Sequence, residues 1–304
     1  MSALWIDTDM GSDDVFAIIA AHAHRRIDGV SLVSGNAPLP QVVRNAHRCS
    51  AAFGWEFPFY AGADRPILGP LETAERILGP EGLPVRGEGP LLPQVAEPAL
   101  PAFLEPLCDW LQRDDGPRHI LALGPLTNLA LLALVRPELI ARIDRLVWMG
   151  GAVGRGNHTP SAEFNAFADP EAVQIVLDRG MTPDVIDLDA CRKVLIDEDD
   201  VTAQAENTSA RGVILTRLLG GYLDIALSRG RKAMGLYDPV AAAAMIAPEH
   251  FTFAPAETRV ECAGPVTRGR TATDFISTAP NSRYAVDLDA EAIRTLCLGA
   301  LTTI

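Results

Sequence analysis

Residues 4–14 of this 304-residue chain read LWIDTDMGSDD. The first three are large and apolar, which is typical of a short strand that is buried on both faces. Four carboxylates follow within eight positions, at Asp7, Asp9, Asp13 and Asp14. Asp13 and Asp14 favour the first turn of a helix, because the helix dipole is positive there. The stretch therefore predicts a buried strand, a short turn and a helix that begins near residue 13.

The rest of the chain repeats this alternation of short apolar strands and helices. The predicted strands are residues 4–7, 30–33, 57–60, 120–123, 145–149 and 184–187. The predicted helices are residues 13–24, 42–53, 101–113, 129–135, 170–178, 239–246 and 290–301, and residues 198–229 are predicted to be mostly helical. Residues 257–288 are typical of β-hairpins. Continuous apolar strands that alternate with helices favour an α/β fold, with a mostly parallel, mixed and open sheet covered by helices on both faces.

The sequence shows no internal repeat and no linker, so we predict a single domain over residues 1–304. Residues 64–98 are rich in glycine and proline and lack helical periodicity. A loop this long inside a compact domain is usually functional or disordered. We expect residues 64–98 and a second segment, 220–237, to be flexible loops near the functional site.

The charge balance excludes several kinds of partner. The chain has 26 Lys and Arg against 39 Asp and Glu, a net charge of −13. Nucleic-acid polymers and anionic membrane surfaces both bind through cationic side chains, so neither is an expected partner. We find no signal peptide, no long apolar run and no closely spaced cysteine pair, and we therefore expect a cytoplasmic protein.

The strand ends carry the candidate ligands, because open α/β sheets bind ligands at the carboxyl ends of their strands. Helix capping and N–H groups could stabilise one or two of the four clustered carboxylates, whereas a divalent cation would neutralise part of their charge. Ca²⁺ takes about six to eight oxygen ligands, and no His/Cys pattern with zinc spacing competes. Thr127 and Asn128, which follow a later strand, are predicted to be helix caps rather than ligands.

The ordered set of motifs resembles that of the nucleoside hydrolases, the inosine–uridine-preferring nucleoside ribohydrolase family. Residues 7–14 resemble the family's Asp-rich fingerprint. The further matches are VSGN at 33–36, FYAGA at 59–63, LGPLTN at 123–128, MGG at 149–151, NHTPSAEFN at 157–165, YDP at 237–239 and GPVTRG at 264–269. Any one of these matches is weak, but together they cover nearly the whole chain in the family's order.

The resemblance implies a nucleoside hydrolase-like fold and a calcium-dependent enzyme that cleaves the N-glycosidic bond of a ribonucleoside to ribose and free base. It assigns Asp9 as the general base that activates a metal-bound water. The implied Ca²⁺ ligands are Asp9, Asp14, Asp238 and the carbonyl of Leu123. The implied substrate-binding residues are Asp13, Asn36, Met149, Asn157, Glu163, Asn165 and Asp238. It further implies a homodimer or homotetramer that acts in purine or pyrimidine salvage with a small-molecule nucleoside as its substrate.

The residue before the last implied calcium ligand departs from part of the family. Members that accept both purines and pyrimidines have His at this position, whereas this chain has Tyr237. We assign Tyr237 to the leaving base, by stacking or by hydroxyl donation, with simple packing as the alternative. The weaker candidates for the base side are Tyr222, Arg229, Arg231 and His158.

Two other functions fit parts of the sequence. A haloacid-dehalogenase-like phosphatase would use Asp7 and Asp9 after the first strand, but that family expects Thr or Val where this chain has Gly11. A non-catalytic ribose or nucleoside sensor could use the same scaffold without the base-side His. The presence of Asp9 argues against the sensor, because it keeps the residue that activates water.

Overall fold

The computed structural model describes residues 3–303. Its strands are β1 Ala3–Thr8, β2 Arg26–Leu32, β3 Phe59–Ala61, β4 Arg118–Ala122, β5 Arg145–Met149, β6 Asp184–Ile186, β7 Leu195–Ile196, β8 Met234–Gly235, β9 Phe251–Val260, β10 Thr271–Asp274 and β11 Ser282–Leu288. Within these residues a nine-stranded sheet has the order β10-β9-β11-β6-β5-β4-β1-β2-β3, and β7 pairs with β8 in a separate small sheet.

The central strands of the large sheet are parallel, and its hairpin edge is antiparallel. Strand β1 pairs in parallel with β2 and β4, while β9 runs antiparallel to β10 and β11. Every residue of β1 is buried, with Leu4 and Ile6 packed in one core and Ala3 and Trp5 in the other. Apolar side chains on both faces require cover on both faces, and the prediction of a mixed sheet between two helical layers is confirmed.

The helices that cover these two faces alternate with the strands. They are α1 Ser12–His24, α2 Leu39–Phe53, α3 Glu75–Leu78, α4 Leu104–Gln112, α5 Thr127–Val135, α6 Phe164–Ala168, α7 Pro170–Asp178, α8 Leu188–Cys191, α9 Glu198–Gln204, α10 Ala210–Leu227, α11 Asp238–Ile246 and α12 Ala290–Thr302. Two 3₁₀ helices lie at Pro137–Arg142 and Pro248–His250. None of the helices in this described part of the chain is long and apolar enough to cross a membrane.

One predicted boundary was wrong. The predicted loop 220–237 begins too early, since α10 continues to Leu227 on the apolar face that it packs into the core. Residues 198–229 are mostly helical, as predicted, and form two helices, because Ser209 starts a new one by accepting the N–H of Gly212 at 3.0 Å. Residues 64–98 are mostly irregular, as expected, with α3 as a short helical turn inside them. The flexibility of both segments stays a prediction.

Candidate active site

The turn after β1 shapes the floor of the site. Met10 is buried and has φ of 50°, the left-handed conformation that residues other than glycine rarely adopt. The Thr8 hydroxyl accepts the Met10 N–H at 3.1 Å and donates to the carboxylate of Asp14. Asp14 also accepts the Gly11 N–H at 2.8 Å, which caps the start of α1. The turn therefore brings the end of the strand and the first turn of the helix to one point.

Asn36, which follows the neighbouring strand β2, holds Asp9 in place. Its backbone N–H donates to Asp9 Oδ2 at 2.7 Å and its side-chain amide donates to Oδ1 at 2.9 Å. The same amide lies 3.2 Å from Asp14 Oδ2. A Cβ at Gly35 would lie 2.1 Å from Asp9 Oδ2, and one at Gly11 would lie 2.3 Å from the Asn36 amide nitrogen. Glycine is required at both positions because the backbone approaches these polar groups so closely.

Four carboxylates meet at this point, and we call them the carboxylate cluster: Asp9, Asp13, Asp14 and Asp238. Ligand oxygens of Asp13, Asp14 and Asp238 all lie within 4.8 Å of one another. Asp14 is also within hydrogen-bonding distance of Asp9. Within residues 3–303, no Lys, Arg or His forms an ion pair with any of the four. The cluster is therefore a concentration of negative charge without a cation from the described chain.

Burial raises the pKa of every member of the cluster, and repulsion between carboxylates adds to this at Asp9, Asp13 and Asp238. Desolvation raises the pKa of Asp9 and Asp238 well above its ordinary value, and neighbouring carboxylates raise it further. Burial and the charge of Asp14 raise the pKa of Asp13 to about 7, although a hydrogen bond from Tyr222 lowers it. Carboxylates in this state are stabilised either by protons or by a cation.

A hard divalent cation fits these donors. They are all carboxylate oxygens, three of them already converge within 4.8 Å, and they come from separate segments at the ends of β1 and the start of α11. Oxygen ligands of this kind suit Ca²⁺ or Mg²⁺ better than they suit zinc. The tight trio contains Asp13, whereas the ligand set implied by the resemblance contains Asp9 and the carbonyl of Leu123. That carbonyl accepts the Asn165 side-chain amide at 2.9 Å.

The opposite wall is built around Glu163 and Asn165. Glu163 caps α6, with its Oε1 accepting the Asn165 N–H at 2.7 Å and its Oε2 accepting the N–H of Gly151 at 2.9 Å. The Asn165 side-chain amide donates to the carbonyl of Met149 at 2.9 Å, and Asn157 Oδ1 accepts a backbone N–H at the start of α6. Burial raises the pKa of Glu163 to about 7. These bonds fix a row of polar groups between the ends of β4 and β5.

Two tyrosines close the side of the pocket nearest α10. Tyr237 is partly buried and meets Tyr222 edge to face, with ring centroids 6.5 Å apart. The Tyr222 hydroxyl donates to the carbonyl of Gly235 at 2.8 Å and lies 3.4 Å from Asp13 Oδ2. Burial raises the pKa of Tyr237, so its phenol is neutral near pH 7. An aromatic face and a neutral hydroxyl are therefore available on this side.

The groups described above surround one cavity of about 430 Å³, a volume suited to a small ligand. Among the predicted site residues, Asp14 is the one that lies behind the lining. The predicted site residues that line the cavity are Asp9, Asp13, Asn36, Leu123, Met149, Asn157, Glu163, Asn165, Tyr237 and Asp238. The weaker candidates Tyr222, Arg229, Arg231 and His158 line it too. Arg155 and Arg192, which lie at the mouth, were not predicted, and no motif marks either of them.

Three polar residues lie away from their predicted places. Asp7 belongs to the sheet interior, where its Oδ1 accepts hydrogen bonds from Asn128 at 2.7 Å and from Ser31. The prediction that Thr127 and Asn128 cap a helix was wrong, because neither caps α5. The Thr127 hydroxyl donates to Asp169 at 2.6 Å, while Asn128 ties Asp7 to the backbone around it. These residues support the site from behind, and Asp7 is not available for the phosphatase chemistry.

The chain is similar to ribonucleoside hydrolases over nearly its whole length. The pyrimidine-specific ribonucleoside hydrolase RihA of Citrobacter koseri is 34% identical over 294 residues, which cover 94% of this chain and 93% of the relative. The non-specific ribonucleoside hydrolase RihC of Klebsiella pneumoniae is also 34% identical, with 95% and 94% covered.

Solved structures show the same architecture. A plant nucleoside hydrolase, the PpNRh1 enzyme, superimposes with a TM-score of 0.89 at 26% identity, covering 100% of this chain and 99% of that one. The purine-preferring ribonucleoside hydrolase of Gardnerella vaginalis also gives 0.89, at 25% identity and with both chains fully covered. Residues 4–295 match the family described as inosine-uridine preferring nucleoside hydrolase. The phosphatase alternative is therefore wrong, and this chain belongs to the inosine-uridine preferring nucleoside hydrolase family and is a ribonucleoside hydrolase acting on N-glycosyl bonds.

Proposed function

We propose that the protein is a calcium-dependent N-ribohydrolase that cleaves a ribonucleoside to ribose and free base, with Asp9 as the general base. The observation that supports this most is the carboxylate cluster at the floor of the cavity, buried and without a cation from the described residues. A cation-binding floor beneath a polar wall suits a sugar, whose hydroxyls need fixed acceptors and donors once water is excluded.

The Ca²⁺ ligands in this proposal are Asp9, Asp14, Asp238 and the carbonyl of Leu123, with Asp13 beside them. When bound, the ion would offset part of the negative charge of the cluster and lower the pKa of the attacking water. Asp9 accepts the proton of that water, and its two hydrogen bonds from Asn36 keep its carboxylate directed at one place. Proton transfer to a positioned carboxylate contributes about 10²–10⁴ to a rate, so Asp9 carries a large share of the chemistry.

The ribose in this proposal lies between the cluster and the wall that contains Glu163 and Asn165. Cleavage breaks the bond between C1′ and the base nitrogen, and the electron pair of that bond leaves with the base. The sugar then carries positive charge, which the nearby carboxylates and amide oxygens stabilise. The remaining substrate-binding residues in this proposal are Asp13, Asn36, Met149, Asn157 and Asp238.

Tyr237 is the proposed contact for the leaving base. Its ring lines the cavity, and its neutral hydroxyl can donate to a base nitrogen that gains electrons. Among the relatives, RihA is pyrimidine-specific, RihC is non-specific and the G. vaginalis enzyme prefers purines. Both kinds of base therefore belong in the first assay, and a role in purine or pyrimidine salvage follows from either.

The test is release of reducing sugar from inosine, adenosine, guanosine, uridine and cytidine by the purified full-length chain with Ca²⁺. We expect at least one of the five to be hydrolysed, and a loss of hydrolysis after chelation. No release from any of them contradicts the proposal for common nucleosides, and nucleoside binding without release favours a sensor. We also propose a homodimer or homotetramer in the cytoplasm, which light scattering of the purified protein and fractionation of cells would check.

A further inference from the structure

The charged residues that line the cavity separate into two groups. The acidic ones lie at its floor and wall, where Asp9, Asp238 and Glu163 are buried. The basic ones lie at its mouth and are exposed or partly exposed, and we call them the arginine rim: Arg155, Arg192, Arg229 and Arg231. Four of the chain's 26 cationic side chains therefore surround one opening, although the net charge of the chain is −13.

Most of the arginine rim is not paired within the protein. In the part of the chain that the structure describes, residues 3–303, Arg155, Arg229 and Arg231 form no ion pair with a carboxylate. Arg192 contacts Asp189 at 3.3 Å and donates to the carbonyl of Arg155 at 2.7 Å, so it fixes the loop that carries Arg155. The rim therefore keeps guanidinium donors free for an anion that enters the mouth.

The arginine rim lies on the same side of the cavity as Tyr237. Arg231 and Arg192 both lie close enough to lower the pKa of the Tyr237 phenol, and Arg231 also donates a hydrogen bond to it. An anion could not lie against the floor, because the carboxylates there would repel it. Under the proposed function Tyr237 contacts the base, so the arginines beside Tyr237 face the outer edge of the base.

We propose that the arginine rim binds a negative charge carried by the nucleobase, and that the preferred substrates are ribonucleosides with an anionic base. This inference rests on the proposed function. The base leaves with the electron pair of the broken bond, so a base that is already negative needs its charge neutralised in order to leave. Arginine stays protonated and cannot supply a proton, but its positive charge stabilises the departing anion.

The test compares two nucleosides of the same shape that differ in charge, 5-carboxyuridine and 5-carbamoyluridine. For the wild-type chain we expect kcat/KM to favour the carboxylate by about tenfold, as charge-assisted hydrogen bonds in a partly exposed site allow. The double variant Arg229→Gln/Arg231→Gln should bring this ratio close to one. Arg179→Gln is the matched control. Arg179 is exposed at the end of α7 and does not line the cavity, so this variant should keep the wild-type ratio. Xanthosine and inosine, of which the first is largely anionic near neutral pH, form the corresponding purine pair.

The outcomes separate this inference from the proposed function. Equal or faster hydrolysis of the neutral member of both pairs overturns the anionic-base inference and leaves the ribohydrolase intact. If none of the four is hydrolysed, titration calorimetry with the same pairs decides the rim: tighter binding of the anionic member supports it, and equal or absent binding overturns it. The proposed function itself fails only if the five common nucleosides are not hydrolysed either. A preference for uridine 5′-phosphate over uridine that disappears in the double variant also overturns it, because the rim would then bind a phosphate on the sugar.

Discussion

Buried acids with and without a cationic partner lie at opposite strand ends of the same sheet. Asp184 opens β6 and accepts hydrogen bonds from Arg145 at 2.9 Å and from Arg283 at 2.7 Å. Asp9 and Asp14 follow the carboxyl end of β1, where the described residues offer them no cationic side chain. A buried carboxylate is costly unless it is paired. At Asp184 the chain supplies the cation, which makes the charge structural, whereas under the proposed function the carboxylate cluster takes its cation from solution.

The largest expected effect tests whether the unpaired acids carry the chemistry. Asp9→Asn keeps the shape of the side chain but removes its ability to accept a proton, so kcat should fall by about 10³-fold. Asp184→Asn, the same change at the carboxylate that is paired with arginines, should leave turnover of the folded protein nearly unchanged. Steady-state kinetics on the best nucleoside measures both variants, and a nearly normal rate for Asp9→Asn would refute its assignment as the base.

The next effect concerns the cation itself. Saturating Ca²⁺ should stabilise the chain by about 2.7 kcal/mol at a hundred times its dissociation constant, which raises the melting temperature by about 5 °C over that in a chelator. Asp14→Asn should remove most of this shift because it takes away a carboxylate at the centre of the cluster. Asp184→Asn should retain the shift. Calorimetry with and without Ca²⁺ checks this, and identical melting of the wild-type chain in both conditions would contradict a cation site.

The arginine-paired Asp184 should contribute to stability rather than to turnover. Asp184→Asn leaves Arg145 and Arg283 without their shared carboxylate, which we expect to cost about 2 kcal/mol of the free energy of unfolding, since Arg283 remains half exposed. Urea unfolding measures the loss. Asp178→Asn, at an exposed position on α7, serves as the control and should change stability very little. An unchanged free energy of unfolding in Asp184→Asn would mean that the two ion pairs do not stabilise the fold.

The smallest effect concerns a neutral donor near the cluster. Tyr222→Phe removes the hydroxyl that donates to the Gly235 carbonyl at 2.8 Å, and we expect a loss of about 1 kcal/mol in unfolding free energy. Tyr60→Phe is the matched control, because the Tyr60 ring stacks on Trp5 in the same way with or without its hydroxyl. If both variants unfold alike, the Tyr222 hydroxyl does not support the wall beside the cluster.

The sequence predicts most of the sheet but not its smallest parts. Strands such as β4 and β5 each contain a continuous apolar run, ILA in β4 and LVWM in β5, so local sequence alone identifies them. Strands β7 and β8 have two residues each and exist only because distant segments meet, which no local pattern records. Helix α6 was missed for a related reason. It has five residues and begins where the Glu163 side chain accepts N–H groups, a contact that the sequence does not display.

The candidate site divides in the same way. Motifs predict the residues at the strand ends, such as Asp9 and Asn36, because a parallel sheet gathers its strand ends at one edge. Asp7 stands next to them in sequence, yet its side chain bonds Ser31 and Asn128 inside the sheet. Arg155 and Arg192 could not be predicted, since exposed arginines occur throughout the chain and only the folded backbone places these two at one opening.

The placement of the arginine rim has a consequence for how this protein can diverge. The floor of the cavity sits on strand ends and capped helices, where most substitutions would disturb the core. Arg155, Arg229 and Arg231 sit outside the helices and strands and are exposed, so their replacement removes few packing contacts and costs little folding free energy. Mutations can therefore accumulate at the mouth while the floor stays constant. If the arginine rim binds the base as proposed, base preference can then drift between descendants of one ancestor without a new fold or a new reaction.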